Sequence, residues 1–372
     1  MKRLLCLMSN MNAGGAETFL MKIYREIDKT KYQIDFCINI LDKNYYEDEI
    51  LTLGGKIYRI PSRSNNIKKH NEELANIISN NNYKYVLAVS SSSASFIDLK
   101  IAKMSGAKIC SIRSSNSNLN MNLKNRFLQS LLRKIFIKYA DELISPSDLA
   151  AVCMFGKNFN QDKRFNYLHN ALNYDEYSFN EYKRKKIRNE FLLEEKDLVV
   201  GHVGRFYEQK NHKYLIEIFH ELVKKNSKFK LLLVGTGELE NEIKSMVANL
   251  GIVDHVIFSG VRSDVKDILS AMDVFVFPSL YEGMPNTVVE AQAAGLPCLL
   301  ADTITKQANI TGNVYYKSLS DRPVEWANTI IQLLTNNYSR DTQDSFKNKN
   351  YDIESCSKLF VKIVFGEKND EN

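Results

Sequence analysis

The sequence lacks most of the signals that would mark a secreted, metal-binding or membrane-spanning protein. Its six cysteines, Cys6, Cys37, Cys110, Cys153, Cys298 and Cys356, are scattered with no Cys-x-x-Cys pair. That argues against a zinc site or a disulfide framework and predicts buried thiols in a reducing compartment. No stretch approaches the ~18 continuous apolar residues of a membrane span. The N-terminal MKRLLCLMSNMN holds an apolar run too short for a signal peptide and reads as a first strand, so a soluble, cytoplasmic chain is expected. There is no Walker loop and no Gly-x-Ser-x-Gly elbow, which argues against P-loop and α/β-hydrolase chemistry. No Asp-x-Asp follows an apolar strand, so no metal is expected to hold a diphosphate.

What is present is an ordinary globular composition, 44% hydrophobic and 25% charged over 372 residues, a length that suits two domains. Short apolar runs alternate with segments of helical period, as in a parallel sheet flanked by helices. Strands are expected at 4–8, 34–40, 56–60, 85–89, 108–112 and 142–146, then at 198–204, 230–235, 255–260, 274–279 and 297–302. The polar, charged NALNYDEYSFNEYKRKKIRNEF between the sets reads as a linker into a second domain. The division is 1–174 for a first Rossmann-like domain, 175–350 for a second, and 351–372 for a helix returning to the first, plus a tail. Two doubly wound domains would face a cleft lined by the carboxyl ends of their strands, where such sheets bind ligands.

The formal net charge of +6 is local. Leu99–Lys138 carries nine basic residues and no acidic one, and removing it leaves the remainder at −3. Within it, NLKNRFLQSLLRKIFIKYA places Phe127, Leu131 and Ile135 on one helical face and Arg126, Arg133 and Lys134 towards the other. Such a helix either lies on an anionic membrane surface or packs its stripe into its own domain; both readings stand at this point. The segment has no recognisable nucleic-acid-binding motif, so nucleic acid is not expected as a partner.

The most informative stretch is YEGMPNTVVEAQAAGLP at 281–297. Pro285 suits the first turn of a helix, and Gly295 then Pro297 suit its end. Backbone N–H groups around Met284–Thr287, after Gly283 and including Asn286, would form a positive helix terminus ready for an anion. Glu290 lies about 7.5 Å along the helix axis from Pro285. Glu282 and Glu290 would then flank a bound anion, one reading a hexose and the other a ribose, which fits a nucleotide sugar. After the strand VVGHVG, Arg205 and Lys210 supply two cations at a strand-to-helix turn, as a leaving diphosphate requires. His202 and His212 flank them without metal-ligand spacing and read as structural. LLLVGTGELE offers Gly235-x-Gly237, but Glu240 stands where a dinucleotide fingerprint has its third glycine. No acidic residue ends the next strand, so a dehydrogenase is not supported. MNAGGAETFL is another glycine turn before a helix, with Gly14 and Gly15 allowing close backbone approach.

Together NAGGAE, VGRFYEQKNH, LLLVGTGELE, VIFSGVRSDV and PSLYEGMPNTVVEAQAAGLP resemble glycosyltransferase family 4, over about residues 4–335 and most strongly in the second domain. The resemblance implies a retaining, metal-independent enzyme of GT-B fold, closest to the capsular and exopolysaccharide branch of bacteria. It implies that Arg205 and Lys210 bind the diphosphate, Glu282 meets the transferred sugar and Glu290 holds the ribose. Backbone at Val261–Arg262 would meet the nucleobase, and Gly15 would approach the diphosphate from the first domain. Many relatives carry histidines after the fourth and fifth strands. Here those places read VLAVSSSSAS and CSIRSSNSN, which leaves Ser90, Arg113 and Ser115 as the candidates of the first, acceptor-binding domain. The implied reaction moves a hexose or N-acetylhexosamine from a nucleotide sugar, UDP-linked, to a lipid-linked saccharide at the inner membrane face. A non-catalytic glycosyltransferase-like binding subunit is the alternative, and a GT-B epimerase a third.

Overall fold

A computed structural model describes residues 1–114, 123–282, 284–336 and 338–367; side chains 123–126 are outside the description. The chain divides into two compact units, one of Met1–Leu172 together with the described residues from Asn350 onward, the other of Asn173–Lys349.

The first unit contains β1 (Lys2–Leu7), β2 (Tyr32–Ile38), β3 (Ile57–Arg59), β4 (Tyr85–Ser90), β5 (Ile109–Ser114), β6 (Glu142–Ser145) and β7 (Phe165–Tyr167). They form one sheet in the order β3-β2-β1-β4-β5-β6-β7, every pair parallel. The second unit contains β8 (Leu198–Val203), β9 (Phe229–Val234), β10 (Val256–Phe258), β11 (Val274–Phe277), β12 (Cys298–Ala301) and β13 (Val314–Lys317). Its sheet runs β10-β9-β8-β11-β12-β13, again all parallel. Strands β4, β8 and β11 read as near-continuous apolar runs because helices cover both faces of such a sheet.

β7 and β13 were not expected from the sequence. FNY is three residues with an asparagine at its centre, and VYYK buries only its first residue deeply. Both are edge strands, which lack the apolar run that announces an interior one.

In each unit the strand order reverses once, between β1 and β4 and between β8 and β11. At such a reversal the following loops leave to opposite sides of the sheet and open a crevice. Gly14 and Gly15 follow β1 and Ser90 ends β4; Arg205 and Lys210 follow β8, and Glu282 follows β11.

The helix Ile353–Phe365 belongs to the first unit. Ile353, Cys356, Phe360, Ile363, Val364 and Phe365 are buried in one cluster with residues of β1 and β2 and of the helix Gly15–Glu26. Asp352 caps it, its carboxylate accepting from the Glu354 and Ser355 amides, and a parallel bridge joins Leu172 to Asp352. Cys6, Cys37, Cys110, Cys298 and Cys356 are buried and form no disulfide among the described residues, and burial pushes Cys110, Cys37 and Cys356 up to about 12. Among the described residues no helix is long and apolar enough to cross a membrane.

Candidate functional site

In the second unit two loops distant in sequence are tied together. Leu280 N–H donates to Gln209 O at 2.8 Å, Gln209 Nε2 to Tyr281 O at 2.9 Å, and Asn211 Nδ2 to Pro278 O at 3.1 Å. Asn211 can close its loop because asparagine tolerates the left-handed conformation it adopts, φ 56°. The lacing ends on an ion pair, Lys210 Nζ to Glu282 Oε1 at 2.6 Å, with side chains only 19% and 11% exposed. The Lys210 ammonium also lies 4.6 Å from the centre of the Phe277 ring. The two predicted diphosphate and sugar residues are thus in direct contact.

Arg205 is exposed, its guanidinium 5.4 Å from the Tyr207 ring, and it makes no ion pair among the described residues. Glu290 is half-buried and accepts from the Tyr177 hydroxyl at 3.5 Å. Burial, then the Glu290 charge, pushes the Tyr177 hydroxyl above its ordinary range. Tyr177 is a site neighbour that the sequence reading passed over, because it lies in the stretch read as a linker.

The helix after Glu282 spans Asn286–Ala293. Pro285 stands one residue outside it, not in its first turn: its ψ of 106° is extended, and its carbonyl accepts from Val288 and Val289. Asn286 therefore opens the helix and is exposed, while Met284 packs partly against the core. Gly283 lies outside the described residues. Val261 is exposed, and the Arg262 side chain is committed to Glu190 at 2.5 Å and Asp264 at 2.7 Å.

Behind Lys210, His202 and His212 are fully buried with ring centres 4.7 Å apart, and His212 stacks on Phe206 at 4.1 Å. Burial, reinforced by the Lys210 charge, lowers His212 to about 4, and burial, reinforced by the neighbouring His212, keeps His202 well below its ordinary value. Among the described residues no three His, Cys, Asp or Glu side chains converge as a metal-binding group.

The first unit carries its candidates separately. Gly14 precedes the helix Gly15–Glu26, and a β-carbon on Gly15 would meet open space. Ser90 lines a cavity of about 60 Å³ with Ser9, Asn39, His70, Ser95 and Asp98. His70, which the sequence reading did not single out, bonds Pro61 O through Nδ1 at 2.8 Å and Asp98 through Nε2 at 2.9 Å. Arg113 departs from expectation. It is 1% exposed, lies 4.1 Å from the Phe19 ring, and donates to Leu168 O and Asn170 Oδ1, with burial lowering it to about 10. Its side chain braces the core and does not face solvent. Ser115 lies outside the described residues.

In the basic segment the helix Leu123–Phe136 shows four apolar residues to solvent: Phe127 is 73% exposed and Ile135 47%, with Leu128 and Leu131 between them, while Phe136 packs partly against the core. Lys134 is exposed on that same side. Arg133 does not belong to an open polar face. It is half-buried, and a β-carbon on Gly156 would lie 3.2 Å from its guanidinium carbon. Lys103 is paired with Asp141 at 2.5 Å, so the segment's charge is partly met within the unit. The Arg126 side chain lies outside the description.

Two doubly wound domains, each with its charged or glycine-bearing loops at a switch point, define the GT-B class of fold. The glycosyl transferases group 1 family matches residues 183–352. EpsF of Bacillus subtilis (strain 168), named as a glycosyltransferase, is 33% identical over 336 residues, covering 89% of this chain and 87% of its own. The capsular polysaccharide biosynthesis glycosyltransferase CapH of Staphylococcus aureus is 23% identical over 384 residues, 98% of each chain. Anabaena HepE, solved in complex with UDP and glucose, aligns with a TM-score of 0.70 over 99% of this chain and 100% of its own, at 15% identity. The chain belongs to the glycosyl transferases group 1 family and is a glycosyltransferase.

Proposed function

We propose that the protein is a retaining, metal-independent glycosyltransferase that moves a hexose or N-acetylhexosamine from a UDP-sugar to a lipid-linked saccharide in surface polysaccharide synthesis. The observation that carries the reading is the convergence of Lys210 and Glu282 at 2.6 Å, with Arg205 in the same loop as Lys210 and Glu290 on the helix that follows Glu282. CapH, a relative along nearly its whole length, is named for capsular polysaccharide, and HepE was solved with UDP, which supports the substrate class.

In this reading the donor diphosphate meets Arg205, Lys210 and the amides that open the helix Asn286–Ala293. Glu290 holds the ribose hydroxyls, backbone at Val261–Arg262 meets the base, and Glu282 accepts hydroxyls of the transferred sugar. The bond from the sugar C1 to the diphosphate oxygen breaks, and a bond from C1 to the acceptor oxygen forms on the same face. The acceptor hydroxyl proton passes to the leaving diphosphate. Negative charge grows on that leaving group, and two cations placed against it lower the barrier without a metal. Ser90 and its cavity belong to the first unit, the acceptor-binding domain of this reading. The exposed apolar residues and Lys134 of the helix Leu123–Phe136 suit docking on the anionic cytoplasmic face of the membrane.

The test is nucleotide release from a panel of UDP-sugars, with and without a polyprenyl-diphosphate-linked monosaccharide. Release that rises with acceptor supports transfer. A protein that binds UDP but releases none under any pairing would instead be a binding subunit.

A further inference from the structure

The Lys210 ammonium has two claimants. It lies 2.6 Å from Glu282, while Arg205 makes no ion pair among the described residues. We propose that Glu282 is a built-in competitor for Lys210 that weakens the site's hold on free nucleoside diphosphate relative to nucleotide sugar. The inference rests on the donor reading above.

A carboxylate at hydrogen-bonding distance neutralises the charge that a diphosphate would use. Free nucleoside diphosphate lacks the transferred sugar's hydroxyls to offer Glu282, so it must share Lys210 with that carboxylate. A nucleotide sugar resolves the conflict, because its hydroxyls donate to Glu282 and draw the carboxylate off the ammonium. When the sugar has been transferred, Glu282 returns to Lys210 and the leaving nucleoside diphosphate is held less firmly. The geometry lets the pair re-form without loop rearrangement. A β-carbon on Gly204 would lie 3.3 Å from Lys210 Cδ and Cε, so the lysine stem runs closely over that backbone. The loop carrying Glu282 is tied to the loop carrying Lys210 through Gln209 and Asn211. Glu282 thus acts as a positioning residue for Lys210, distinct from its contact with sugar.

Calorimetric titration of the full chain with UDP tests this in wild type, E282Q, E282D, K210A and the K210A/E282Q double variant. E282Q keeps the side-chain shape and removes the charge. It is expected to bind UDP about three- to tenfold more tightly, the scale of a partly exposed ion pair, even as its turnover falls. E282D retains the charge and should not tighten binding. In the K210A background, E282Q should change UDP affinity by less than about twofold, since coupled residues lose their effect when one is gone. An E282Q that binds UDP no better than wild type, or one whose gain persists undiminished without Lys210, overturns the inference. A K210A that binds UDP as wild type does, or a wild type that does not bind UDP, overturns the donor assignment itself.

Discussion

A β-carbon on Gly237 would lie 2.6 Å from the Phe206 carbonyl oxygen and 2.7 Å from its amide nitrogen. The loop after β9 therefore rests backbone to backbone on the loop that carries Arg205, an arrangement held by Phe206 N–H to Thr236 O at 3.1 Å and Leu239 N–H to Phe206 O at 3.0 Å. The Gly-x-Gly of GTGELE serves this contact within the protein. Gly15 is the opposite case, with nothing near its missing β-carbon. Gly237→Ala should cost about 1–3 kcal/mol of stability through overpacking and lower activity with it. Gly15→Ala should melt like wild type, yet turn over UDP-sugar more slowly. Thermal melts beside nucleotide-release rates separate the two; a destabilised Gly15→Ala would make that glycine structural.

Arg205 and Glu290 should divide between turnover and affinity. Arg205→Ala removes a donor to the charge that develops on the leaving diphosphate, and should lower turnover by about 10²–10³. Glu290→Ala removes the proposed ribose contact and should weaken UDP binding by about 1.5–3 kcal/mol, the scale of a hydrogen bond to a charged group. Equal UDP affinity of Glu290→Ala and wild type would remove that role, and normal turnover of Arg205→Ala would place the diphosphate elsewhere.

The buried histidines give stability a pH dependence. His212 is lowered from 6.5 to about 4, chiefly by burial. Its neutral form is the one the fold accepts, so the unfolded chain binds the proton first as pH falls. Stability from this group is complete above about pH 6.5 and is lost as pH drops towards 4, on the order of 3 kcal/mol at full protonation. His202, also lowered, adds in the same direction. Denaturant titrations at pH 7.5, 6, 5 and 4 should show the decline, and His212→Phe should flatten part of it. An unchanged slope in that variant would contradict the assignment.

Much of this was legible in the sequence, and the reason is physical. Eleven apolar runs announced the nine interior strands and the edge strands β3 and β10, while the edge strands β7 and β13 escaped because their own short segments hold no continuous apolar run. The loops that carry Arg205, Lys210 and Glu282 were readable because glycine and proline punctuate them. The lacing through Gln209 and Asn211 was not, since ordinary polar residues leave no periodic signal. Arg113 was singled out for its place after the fifth strand, and nothing nearby in sequence announces Phe19 and Asn170 as its partners. Arg133 misled for a related reason: helical spacing assigns a face, but only packing shows that Gly156 leaves room for a guanidinium to turn inward.

The exposed helix Leu123–Phe136 predicts lipid binding that needs both its apolar side and its charge. Leu128→Ser with Leu131→Ser reduces the apolar contribution, and Lys134→Gln with Lys138→Gln removes charge worth about 1 kcal/mol per residue near an anionic surface. Arg133 is left intact because it is packed. Each pair should reduce recovery on anionic vesicles in flotation, the lysine pair should lose its effect in high salt, and UDP binding should stay at the wild-type level. Equal recovery of wild type and both variants would mean that this face does not dock on lipid.

The central claim, retaining transfer without a metal, is tested most directly by following the product anomer. The protein is incubated with an α-linked UDP-sugar and a polyprenyl-diphosphate-linked monosaccharide in EDTA, and the new linkage is read from its anomeric proton coupling by NMR. The account predicts an α-linked product formed at a rate that EDTA does not change. A β-linked product, or activity abolished by EDTA and restored by Mn²⁺, would contradict it.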